Sequence, residues 1–159
     1  MNFDFSDEQK QLRDEARKFL SEQCPPKAVR AVLDGKVAYD KGLWKALAEM
    51  GFLGVAIPES YGGTGAGHLE LCVIAEEMGR ALAPVPFSST VYLAAEALLL
   101  AGTEAQKQKW LPAIAKGDAI GTVGISDPDQ PPHLHFEIRH GTDGRPIAVD
   151  PARWLKERP

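Results

Sequence analysis

Residues 43–86, LWKALAEMGFLGVAIPESYGGTGAGHLELCVIAEEMGRALAPVP, decide how this chain folds. Leu43, Trp44, Leu47 and Met50 recur at helical spacing. Asp40 stands just before them as a cap, and Gly51 just after as a stop. Residues 51–67 form a glycine-rich connection with a short extended piece predicted at 55–57. A long helix is predicted from about residue 68 to residue 82, ended by Pro84 and Pro86. The GGTGAG run at 62–67 invites a phosphate-binding reading, because backbone amides before a helix attract anions. Its glycines lack the dinucleotide spacing, it has no P-loop lysine, and no convincing strand precedes it. A tight turn that lets two helices approach is the better reading.

Working outward toward the N-terminus, Ser6 and Gln9 stand at capping-box spacing, each side chain placed to satisfy the other's free backbone amide. Leu12, Ala16, Phe19 and Leu20 then share one helical face, and Pro25-Pro26 stops the helix. A short apolar helix follows over about 27–33, closed by Gly35. Toward the C-terminus, a helix starting at Ser88 or Ser89 is apolar on most sides through Leu98-Leu99-Leu100. Such a helix is expected in the middle of a bundle. Thr103 and Gln106 repeat the capping-box spacing for a last helix, through Trp110 to about Lys116. The fold class is therefore mainly α: a six-helix bundle followed by a short β tail.

After Gly117 the texture changes. Residues 120–125 place β-branched side chains among glycines, DPDQPP at 127–132 is a turn, and 133–139 alternate as a strand does. GTDGRP at 141–146 is a second turn, and Asp150-Pro151 opens a short helix around Trp154. The division is a helical domain at 1–120 and a β-rich tail at 121–159. Two strands alone are marginal in water, so the tail is expected to dock on the bundle or to remain loosely ordered.

Composition narrows the function classes. The 159 residues are 44% hydrophobic and 25% charged, with a net charge of −4. That balance is ordinary for a globular domain and gives no electrostatic reason to bind nucleic acid or an anionic membrane. Cys24 and Cys72 are the two cysteines, and their settings suit reduced thiols rather than a disulfide. The acidic N-terminal start is unlike a secretory signal, and no run approaches the ~20 apolar residues of a membrane span. A cytoplasmic location is expected.

Three stretches carry a resemblance: FDFSDEQKQLRDEARKFL at 3–20, the 43–86 stretch, and AGTEAQKQKWLPAIAKGDAIGT at 101–122. Together they resemble, in order, the N-terminal domain of acyl-CoA dehydrogenases. The resemblance implies a bundle packed against a β domain and a second helical domain, with FAD between them and an acyl-CoA as substrate. It implies α,β-dehydrogenation: a carboxylate removes the proton alpha to the thioester while a hydride passes from the beta carbon to the flavin. It places Leu71, Ile74 and Ala75 on the helix that walls the acyl-chain pocket, although core packing also explains these residues. The family draws its base and most flavin contacts from domains with no counterpart here. Glu70, Glu76, Glu77 and Glu96 are carboxylates on hand, and none is marked as a base. The expectation is a chain inactive alone, whose uncovered interfaces favour self-association or a partner supplying the missing domains.

The tail is similar to a different family. GDAIGTVG at 117–124 and PPHLHFEIRHGTDGRPIAVDPARWL at 131–155 resemble the C-terminal end of lysostaphin-type zinc endopeptidases. The join between the two resemblances falls within 117–125. The second implies zinc, with His135 as a metal ligand and His133 helping to activate the attacking water. A third ligand has to come from His68, His140 or a nearby carboxylate, since catalytic zinc takes three protein ligands. Three readings follow: an acyl-CoA dehydrogenase fragment, a metallopeptidase remnant, or a catalytically silent helical module carrying a grafted tail. Flavin binding, zinc binding or neither tells them apart.

Overall fold

The computed structural model describes residues 4–124, 135–140 and 147–149. Six α-helices dominate: α1 (Asp7–Gln23), α2 (Pro26–Leu33), α3 (Lys41–Glu49), α4 (His68–Arg80), α5 (Glu96–Ala101) and α6 (Glu104–Ala115). A π-helix, Ser88–Ala95, runs directly into α5. Backbone segments β1 (Ala119–Gly124), β2 (His135–His140) and β3 (Ile147–Val149) pair antiparallel in that order. The terminal helix expected around Trp154 lies outside the described residues, as does His133.

Both capping boxes form. The Gln9 N–H donates to Ser6 Oγ at 3.2 Å, and the Ser6 N–H donates to Gln9 Oε1 at 3.0 Å. At α6 the same exchange runs between Thr103 and Gln106. Asp40 caps α3 by accepting the Leu43 N–H at 3.0 Å. Pro26 opens α2 at a position whose amide would have no helical partner anyway. Helix α6 ends at Gly117, whose φ is +76°. Its carbonyl accepts the Trp44 indole N–H at 3.0 Å, which fastens the end of α6 to α3.

The connection between α3 and α4 departs from the sequence-based expectation at 55–57. Val55 has helical dihedrals (φ −59°, ψ −39°), and short 3-10 turns, Phe52–Gly54 and Glu59–Tyr61, flank the piece. The reason is hydrogen bonding within the loop. Its second arm folds back on its first, with the Thr64, Gly65 and Ala66 amides donating to the carbonyls of Gly54, Ile57 and Val55. With those carbonyls taken inside the loop, the piece turns instead of extending. A Cβ at Gly63 would collide with the carbonyl oxygens of Ile57 and Gly54, so this glycine is set by close approach.

The core has two lobes. Leu20, Trp44, Leu47, Leu53, Ile74 and Val91 belong to the larger, and Ile57, Ala94, Leu98, Leu111 and Ile114 to the smaller. The π-helix contributes to both. The expectation that the rod from residue 88 to 100 lies in the middle of the bundle is corrected. Its inner side is buried, but Leu93 is 41% and Leu100 83% exposed. The rod packs against α6 and, along the π-helix, against β1.

Candidate functional site

The residues expected to wall an acyl pocket sit on α4, whose apolar positions turn toward α1 and α3. Leu71 and Ile74 are buried in the larger lobe, and Ala75 is half-buried. Leu69 and Cys72 lie on the outward side of α4, both exposed. Beside them runs the π-helix, where Tyr92 is half-buried with its ring edge-on to Phe87 at 5.5 Å. Burial, with the nearby Cys72 adding a smaller contribution, pushes the Tyr92 hydroxyl up to about 12. The outer faces of α4 and the rod therefore present an apolar surface of Leu69, Cys72, Leu93 and Leu100. An exposed patch of this kind is typically a contact surface.

Each of the four carboxylates is engaged. Glu70 accepts the Gln9 amide at 2.9 Å. Glu76 is 3.6 Å from Arg13. Glu96 lies 2.7 Å from His68 Nε2, linking the start of α4 to α5. Glu77 is 1% exposed and receives Arg17 through two nitrogens, at 2.7 and 3.0 Å, and Arg80 at 3.1 Å. Hydrogen bonds from Arg17 hold the Glu77 carboxyl below its ordinary value against the opposing effect of burial. Its role is to clamp α1 to α4. The signal for it was present as Arg17 and Glu77 on two amphipathic helices, but nothing in the sequence says those helices meet.

Flavin fit can be judged on the described residues. The groove along α1 is open and lined by Asp7, Lys10, Gln11, Asp14, Glu15 and Lys18. Its three carboxylates oppose a dinucleotide diphosphate, and the charged groups at the α4–rod face, His68, Glu96 and Glu76, include two further carboxylates. The described residues do not fit the flavin by themselves. Nor, among them, do three His, Cys, Asp or Glu side chains stand close enough to hold a metal. His135 is the first residue of β2, paired in register with Gly124.

Comparison with known proteins gives consistent results. The family described as "Acyl-CoA dehydrogenase, N-terminal domain" matches residues 6–118. Mitochondrial isovaleryl-CoA dehydrogenase from Pongo abelii is 38% identical over 126 residues, covering 78% of this chain and 30% of that protein. A glutaryl-coenzyme A dehydrogenase solved with glutaryl-CoA superposes with a TM-score of 0.68 at 26% identity, covering 87% of this chain and 39% of its own. One chain of the ChsE4–ChsE5 complex from Mycobacterium tuberculosis superposes at 0.65 with 29% identity, covering 79% and 33%. The chain thus spans about a third of the length of the relatives it matches.

Proposed function

Because this chain belongs to the acyl-CoA dehydrogenase family through its N-terminal domain, we propose that residues 1–120 are the helical part of an FAD-dependent enzyme that dehydrogenates acyl-CoA thioesters. The observation that supports this is the helical correspondence, over 87% of this chain, with a relative solved in complex with glutaryl-CoA. When bound, the flavin accepts the hydride. The bundle's own part is to present the outer faces of α4 and the rod as one apolar wall. Ala75 is the expected pocket residue still partly open, while Leu71 and Ile74 hold the wall from behind as core.

With no flavin fit and every α4 carboxylate engaged, the isolated chain is catalytically silent on this reading. It serves as an interaction module, in the cytoplasm, for a second copy or for a chain that supplies the remaining domains. The test joins residues 1–120 to the portion of an isovaleryl-CoA dehydrogenase that lies beyond the matched region. The hybrid is expected to retain FAD through desalting and to lose its flavin absorbance on addition of an acyl-CoA. The chain alone is expected to stay colourless. A folded, flavin-loaded hybrid that responds to no acyl-CoA would overturn the assignment.

For residues 121–159 the proposal is a short β-rich tail that docks on the bundle, with the zinc-peptidase likeness as the alternative origin. Zinc titration of the full chain tests that likeness. Stoichiometric binding lost in both His133→Ala and His135→Ala supports a metal site, and no binding removes it.

A further inference from the structure

We propose that Ser88–Ala95 is a register switch, a segment that exchanges between the π winding seen here and an α winding continuous with α5. Eight consecutive residues are many for a π-helix, which usually appears as a single turn and often at functional sites. The first bond of this one is α-type, while at its far end the Glu96 N–H donates to the Leu93 carbonyl three residues back. The Thr90 N–H donates to the Pro86 carbonyl at 3.1 Å, an α-type bond, and Glu96 begins α5 with no break.

Burial along the rod explains how both windings can be accommodated. Phe87, Val91 and Ala95 are buried, as are Thr90, Ala94 and Leu98, each set in steps of four. Four lies above the 3.6 residues of an α turn and below the wider turn closed by i→i+5 bonds. The same side chains therefore face the core in either form, drifting a little one way or the other. Two of the six are alanines, so the drift moves little volume.

The preceding connection supplies the adjustment in length. The Val85 N–H donates to Ala83 at 2.9 Å and the Phe87 N–H to Val85 at 2.8 Å, two successive three-residue turns that contract the chain. The far end is fixed, by Leu98 in the core and by Glu96 paired with His68. Rewinding therefore turns the 88–93 end by a fraction of one residue's ~100° step.

The consequence is at the surface. In an α winding Leu93, Ala97 and Leu100 stand at i, i+4 and i+7 and form one stripe. In the π winding Leu93 is turned off that line. The switch assembles or dissolves a continuous apolar stripe, and it moves Tyr92 relative to Cys72.

Amide hydrogen exchange on the full chain is the experiment. The Thr90–Ala95 amides are expected to exchange at least ~10-fold faster than the core amides of α4 and α6, as a separate opening. Deleting Ser89 is expected to raise their protection to the α4 level and to change the Cys72 labelling rate several-fold. If the deletion does not fold, Ser88→Ala with Ser89→Ala keeps the length and raises α preference, and the same slowing is expected. Protection of these amides equal to α4 in the unaltered chain would overturn the proposal, as would no slowing in the folded variants.

Discussion

Glu77 shows how a single carboxylate can be read wrongly from its position alone. On an amphipathic helix beside Glu76 it resembles a solvated charge, yet it is buried and bound by Arg17 and Arg80. Its partners are each about half-exposed, so they regain water when it is removed. Glu77→Ala should cost about 3 kcal/mol, near the lower end for a broken buried pair, read by denaturant melts. The pH dependence follows from the sign of the shift. Because the folded-state value lies below the ordinary one, the contribution is complete above the unfolded value of roughly 4.3 and is lost as pH falls through the folded value. Acid titration of stability should be steeper in the parent than in Glu77→Gln, and equal slopes would show that the clamp carries no linkage. Gly63→Ala is the other residue-scale change expected to be severe, because the new Cβ meets backbone carbonyls that cannot move aside cheaply.

Helix ends are where local chemistry and the fold agree most closely. At the end of α4 the Leu82 N–H donates to Gly79 and the Ala83 N–H to Met78, the paired bonds of a Schellman cap. Glycine takes the equivalent left-handed position after α2 and α6, as Gly35 and Gly117, whereas here it is Leu82, at φ +51° and 69% exposed. Leu82→Gly should therefore stabilise the chain by about 1 kcal/mol, since it relieves a left-handed L-residue and gives up little burial. A lower thermal midpoint for that variant would contradict the account. Thr103→Ala should lose about 1 kcal/mol by removing one half of the α6 capping box. The element that periodicity missed is the π-helix. Burial in steps of four reads as an ordinary apolar helix, and the segment contributes to both core lobes.

At the scale of the molecule, the exposed leucines are the feature that matters. Leu93 and Leu100 lie on the rod and Leu82 just after α4, at 41, 83 and 69% exposure. Burial is worth ~25 cal/mol per Å² of apolar surface, so the chain should self-associate as concentration rises. Light scattering is expected to give a mass above that of one chain, and Leu93→Lys with Leu100→Lys to return it to one. A parent that stays at the mass of one chain at high concentration would remove the self-association reading and leave the partner reading.

Outside the π-helix, the helices and their ends were legible in the sequence. Ser6, Thr103 and Asp40 cap, while Pro25-Pro26, Gly35, Gly51 and Gly117 stop, through bonds made within a few residues. The sequence also carried the family, whose N-terminal domain matches residues 6–118. Tertiary structure alone decided which faces are covered. Leu71 and Ile74 became core, the flank of the rod stayed open, residues 55–57 turned, and Glu77 found two arginines. Each of these depends on which helices meet across tens of residues of intervening chain, and periodicity within one helix carries no record of its neighbours.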